Sequence, residues 1–165
     1  MLKNMKIGMR LGVGFGVIAL LLAVVAVLSI TRLASIGNSV DQAVNDRYPK
    51  TEIANDIIDQ ANGSARFIRN MIIFDNKDEI QKESARLDEA AKKIDEDLNK
   101  LEKVINTAKG KELFKSIVDS RAPYREVLNQ VKKLALEDKK KEAGSLLGAK
   151  LRPLQLVYMD NVMKF

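Results

Sequence analysis

Three side chains at helical spacing, Asn62, Arg66 and Arg69, are well suited to hold a small anion. Steps of four and three put them on one helix face, in a stripe that runs from Asn55 and Ile58 to Ile73 and Asn76. A guanidinium is a rigid fork of donors that matches a carboxylate through two charge-assisted hydrogen bonds. Two arginines on one face repel unless something neutralises them, and a small di- or tricarboxylate would do so. The competing reading is a solvated surface with Asp or Glu nearby, since exposed arginine is ordinary. Arg121 and Tyr124 lie three apart on an inward seam and flank Pro123. Together they suit a polar pocket, whereas Tyr124 alone reads as a core ring with its hydroxyl at the rim. Arg152, Gln155 and Tyr158 repeat the theme around Pro153, which could open backbone groups to a ligand. The candidate ligand-binding residues are therefore Asn62, Arg66, Arg69, Arg121, Tyr124 and Tyr158.

Other chemistry is poorly provided for. The chain has no His and no Cys, which removes most zinc, haem and thiol sites and the usual proton shuttle of hydrolases. Acidic residues fall mostly on polar faces, and no phosphate-cradling loop is present. Gly12-Val13-Gly14-Phe15-Gly16 lies inside an apolar run and is no nucleotide fingerprint. Neither catalysis nor a metal or cofactor is expected. The net charge of +6 is not one patch: residues 31–165 hold 25 basic side chains against all 22 acidic ones. Those charges are interspersed, and the eight aromatics follow no basic stripe, so nucleic acid is not an expected partner.

The elements that must position these residues begin with Leu11 to Ile30, twenty positions without a charged side chain. As a helix this run is roughly 30 Å long, the thickness of a bilayer's hydrocarbon core. Lys3, Lys6 and Arg10 precede it with no acidic residue among them. Cationic flanks stay in the cytoplasm, which predicts a cytoplasmic segment 1–10, a transmembrane helix 11–30 and an external domain 31–165. A cleaved signal peptide has a shorter apolar region and small residues at its cleavage site; Ser29-Ile30-Thr31-Arg32-Leu33 does not fit. Gly8, Gly12 and Gly16 form a row that would let two such helices approach closely.

The external part reads as helix almost throughout. The first rod continues from the anchor through Leu33, Ile36, Val40 and Val44 to a kink or break at Tyr48-Pro49, then resumes through Ile53, Ile57, Ala61, Ile68 and Ile72. The second carries the seam Ile80, Ser84, Leu87, Ala91, Ile94, Leu98, Leu101, Ile105, and ends before Lys109-Gly110. The third, from Lys111 to Glu137, buries Ile117, Tyr124, Leu128, Val131 and Ala135 around Arg121. The fourth starts near Asp138 and buries Ala143, Leu147, Leu154, Val157, Val162 and Phe165. The expected fold is all-α: a transmembrane helix continuing into an antiparallel up-down-up-down four-helix bundle. Phe165 would end level with Pro49, some 18 residues or ~27 Å above the bilayer, so a continuation of the chain to a second span is expected. The Asn-Arg-Arg stripe on the first rod suits a helix meeting its own twin across a two-fold axis.

Arg47-Tyr48-Pro49-Lys50-Thr51, Arg66 to Asn70, Arg121-Ala122-Pro123-Tyr124-Arg125 and Leu151-Arg152-Pro153-Leu154-Gln155 with Tyr158 carry a resemblance. With the anchor and the bundle, they resemble the N-terminal sensory half of methyl-accepting chemotaxis receptors. That resemblance implies a homodimer in the inner membrane, with the bundle in the periplasm. It implies a small anionic ligand, an organic acid or amino acid, bound between first helices near the membrane-distal end. It assigns arginines of that helix to the ligand, a role Arg66 and Arg69 match by position, and polar residues of the third and fourth helices, which Tyr124 and Tyr158 match more loosely. A cytoplasmic kinase and coupling protein would be reached only through C-terminal parts not present here. Two rival readings remain: the same bundle serving a histidine kinase or a cyclic-nucleotide cyclase, and a structural membrane-anchored bundle that binds no ligand.

Overall fold

A computed structural model describes residues 6–165, so Lys3 and the rest of residues 1–5 lie outside the described residues. The chain divides into two compact units, one ending at Arg47 and the other spanning Tyr48–Phe165. The first unit is helix α1 (Ile7–Gln42) and a π turn (Ala43–Arg47). α1 buries no residue, and leucines such as Leu20 stand exposed all along it. It is long and apolar enough to cross a membrane. Its polar side chains beyond the apolar run satisfy themselves locally. Thr31 and Ser39 donate to carbonyls one turn back, and Asn45 donates to Asp41 at 2.7 Å.

The second unit is an all-helical four-rod bundle: α2 (Tyr48–Ile73), α3 (Lys77–Val104), α4 (Ala108–Leu136), and a fourth rod made of α5 (Lys140–Leu146), a π turn (Leu147–Leu151) and α6 (Arg152–Met163). Local chemistry sets the boundaries. Asn76 caps α3, its side-chain oxygen accepting from the amides of Asp78 at 2.8 Å and Glu79 at 3.3 Å, and both acids favour the positive helix start. Thr107 caps α4 by accepting from the Gly110 amide at 3.0 Å. Gly110 therefore belongs to the first turn of α4 rather than ending the previous rod. A Cβ there would lie 2.9 Å from the Thr107 hydroxyl, so glycine is what lets the cap close. α4 ends where Asp138 adopts the left-handed region at φ 60°, and the Lys139 amide reaches back to the Leu134 carbonyl.

Antiparallel packing is visible in the cross-links. Lys50 donates to Asn106 at 3.2 Å, and Lys140 donates to the Phe74 carbonyl at 2.6 Å and pairs with Asp75. Asn161 near the end of the fourth rod donates to the Ser116 carbonyl near the start of α4. The core runs through Ile57, Ala61, Ile68, Met71, Leu87, Ile94, Leu101, Ile117, Leu128, Val131 and Val162. Side chains of this kind contribute on the order of 1.5–3 kcal/mol each when fully buried.

Two expectations need correcting. Ala90 rather than Ala91 is fully buried on α3, so the seam there is wider than a strict two-position stripe. On the fourth rod Val157 is exposed, while Leu151 and Tyr158 are buried. The cause is the π turn at Leu147–Leu151. Its wider turn adds a residue and shifts every later side chain around the axis. Proline explains its place. The ring of Pro153 would crowd the carbonyl of Ala149, four residues earlier, and that carbonyl sits within the widened turn. Pro153 is not preceded by a non-helical residue, so it is absorbed without a break in helical conformation.

Candidate functional site

The six residues singled out by sequence fall at three places. Asn62 and Arg69 of α2 line a groove of about 440 Å³ against the fourth rod, opposite Arg152 and Gln155 of α6. Its apolar floor includes Ala65 and Ile68 of α2 with Leu147 and Leu151 of the π turn. Arg66, one step around α2, lines a different groove on the α3 side. Arg121, Tyr124 and Tyr158 gather within the bundle between α3, α4 and α6.

The α2/α6 groove is electrostatically unbalanced. Neither Arg69 nor Arg152 makes a hydrogen bond or ion pair with any described residue, and no carboxylate lines the groove. Gln155 gives one weak bond, from Nε2 to the Met159 sulfur at 3.5 Å. Two guanidiniums and two amides thus surround an apolar floor. Such a groove can take a small molecule with one or two carboxylates and a short apolar body.

The α2/α3 groove is neutralised from within. Glu83, almost fully buried, accepts from Asn70 at 3.0 Å and from Arg86 at 2.6 Å. Glu89 pairs with Lys93 at 2.9 Å. That hydrogen bond, with the attraction of the ammonium, holds the Glu89 carboxyl below its ordinary range and the Lys93 ammonium above its own. The Arg66 guanidinium lies 5.5 Å from the centre of the Phe67 ring.

Arg121 is nearly buried and already engaged, donating to Asp95 at 2.5 Å and to the Ala91 carbonyl at 3.3 Å. Arg125 shares the same carboxylate at 3.6 Å. The rings of Tyr124 and Tyr158 stack, with centroids 5.5 Å apart. Burial pushes the Tyr124 phenol up to about 12, against a smaller opposing pull from Arg121. Burial also pushes Tyr158 up. Sequence reasoning missed the Asn70–Glu83–Arg86 network. Glu83 lies beside a seam position, and no spacing signal marks a buried carboxylate there.

The pattern of a family described as a four helix bundle sensory module for signal transduction matches residues 4–165, nearly the whole chain. The chain belongs to this family. The bundle is therefore a sensory module of the methyl-accepting chemotaxis type, and the family is one of signalling modules rather than enzymes. No curated protein and no solved structure matches the chain. The α2/α6 groove thus presents an unneutralised pair of arginines. The saturated α2/α3 groove is a place for structure.

Proposed function

We propose that this chain is the sensory part of a membrane chemoreceptor that binds a small anionic metabolite, an organic acid or amino acid, in the α2/α6 groove. The observation that carries this reading is that Arg69 and Arg152 have no acidic partner among the described residues. Arg69 and Arg152 would hold a carboxylate in bidentate fashion, Asn62 and Gln155 would orient the rest, and Leu151 with Ile68 would cover its apolar part. Lys6 and Arg10 before the apolar run support a cytoplasmic N-terminus, with the bundle on the periplasmic side of the inner membrane. The exposed face of α2, with Asn55, Arg66 and Ile73, supports pairing with a second copy. The ligand would act by favouring one position of the fourth rod against α2, since it touches both. It shifts that equilibrium only by binding the two positions unequally. A coupling of about 1–3 kcal/mol is the usual scale, and a chemotaxis kinase with its coupling protein would read it through the rest of the receptor.

The test is a thermal-shift screen of the full chain in lipid nanodiscs against succinate, malate, citrate, aspartate and benzoate. A ligand at a hundred times its Kd adds about 2.7 kcal/mol to stability. At least one carboxylate should raise the melting temperature, and the rise should vanish in Arg69→Ala and Arg152→Ala. No shift with any carboxylate, or shifts indifferent to both substitutions, would refute the ligand claim.

A further inference from the structure

The charge missing from the α2/α6 groove says as much about a ligand as the charge present. Its lining consists of two arginines, Arg69 and Arg152, two amides, Asn62 and Gln155, and six apolar side chains. Among the described residues no Asp or Glu contributes to it. The acids nearest in sequence are Asp59, one turn before Asn62, and Asp160, next to Met159. Both stay outside the lining, and Asp160 is already paired with Lys164.

A carboxylate and an ammonium make opposite demands on such a surface. A carboxylate only accepts, and guanidiniums only donate, so the two fit. An ammonium also only donates, and it needs oxygen acceptors when it leaves bulk water. This chain shows how it meets that need elsewhere. Lys132, with its side chain only 18% exposed, donates to Asp88 at 2.6 Å. Lys140, 26% exposed, donates to the Phe74 carbonyl at 2.6 Å and pairs with Asp75. In the neighbouring α2/α3 groove Lys93 has Glu89 at 2.9 Å. The side chains of the α2/α6 groove offer an ammonium two neutral amide oxygens and the repulsion of two guanidiniums.

We propose that the α2/α6 groove selects carboxylic acids that carry no amine and rejects the corresponding amino acids. This rests on the carboxylate reading of the same groove and narrows it. In an amine-free acid the carboxylate meets Arg69 and Arg152 while the carbon skeleton covers Ile68, Leu151 and Met159. In an α-amino acid the ammonium sits on the carbon next to the carboxylate. Anchoring the carboxylate therefore carries the ammonium to the guanidiniums, where no acidic side chain receives it. A hydroxyl at the same carbon is neutral and can pair with Asn62 or Gln155, so a hydroxy acid is accepted.

The experiment is isothermal titration at neutral pH, where the amines are protonated, into the full chain in nanodiscs. Two matched series are used: succinate, malate and aspartate, then 3-phenylpropionate, 3-phenyllactate and phenylalanine. In a series that binds, the amine-free acid should bind at least about 10-fold more tightly than the amino acid, a difference of about 1.4 kcal/mol. The hydroxy acid should stay close to the amine-free one. Gln155→Glu puts a carboxylate into the lining and should narrow the preference. An amino acid that binds as tightly as its amine-free partner would overturn the selectivity and leave the carboxylate reading standing. So would a preference that Gln155→Glu leaves unchanged. Absence of binding in both series would overturn the selectivity and the carboxylate reading together.

Discussion

Arg66 and Arg69 are one residue type three positions apart on α2, yet they serve opposite kinds of groove. Three residues turn an α-helix by about 300°, which leaves two side chains some 60° apart. That is enough to send Arg69 to the α6 side and Arg66 to the α3 side. On the α3 side a buried carboxylate, Glu83, answers Arg86 and Asn70, and Glu89 answers Lys93. On the α6 side no carboxylate among the described residues answers Arg69 or Arg152. The contrast separates charge that holds a fold from charge kept available. An arginine in a sensory module is informative according to what it lacks.

The comparison can be broken most sharply at the open groove. Replacing both Arg69 and Arg152 by Ala should weaken carboxylate binding about 100-fold or more, at roughly 1.5–3 kcal/mol per charge-assisted bond lost. The melting temperature without ligand should hardly move, because exposed unpaired side chains usually contribute within about 0.5 kcal/mol. Glu83→Ala should do the reverse. It strands the Asn70 amide and Arg86, and should cost about 1–3 kcal/mol in chemical denaturation while leaving carboxylate affinity unchanged. Arg66→Ala sharpens the boundary between the grooves: losing the Phe67 contact should cost about 0.5–1 kcal/mol. Its effect on binding should be well below that of Arg69→Ala. An equal effect would place the ligand across the outer face of α2 instead.

The smallest effect is that of pH. Asp75, Glu89 and Glu137 are held below the ordinary carboxylate range by lysine partners, Lys140, Lys93 and Lys139 in turn. Their stabilisation is present above the ordinary carboxylate pKa and fades as pH falls through the lowered values. Lys93, Lys100 and Lys139 are held above theirs, so their contribution is present below the ordinary lysine value and fades as pH rises past it. Tyr124, raised to about 12, favours the fold below pH ~10 and ceases to as pH climbs from there to 12. With no His in the chain, melting temperature should be nearly flat between about pH 5 and pH 9. A step near neutrality would contradict these assignments.

Much of the fold was legible because its rules are periodic. The α3 and α4 seams follow three-four spacing, and Asn76 marks the break before α3, whereas the Thr107 cap of α4 was masked by Lys109-Gly110, which reads as a break but lies in the first turn of α4. The fourth rod was less legible. A π turn has no spacing signature of its own, and it displaced Tyr158 and Leu151 into the core at the expense of Val157. Pro153 was the visible trace of that turn, read as an opening of the backbone rather than as a shift in phase. At the site, stripe membership grouped Asn62, Arg66 and Arg69. Only packing shows that the stripe straddles a ridge and drains into two grooves. The state of Arg121 was equally hidden, since Asp95 lies on another helix twenty-six positions away.

The account turns on whether the α2/α6 groove recognises carboxylates through its unanswered arginines. Isothermal titration of the screened carboxylate into the full chain in nanodiscs tests this directly, with Arg69→Ala, Arg152→Ala and Glu83→Ala run beside the parent. The account predicts saturable binding that is lost in both arginine variants and retained in Glu83→Ala under conditions where that variant is still folded. Binding that survives both arginine substitutions, or that disappears with Glu83 while the fold persists, would contradict it.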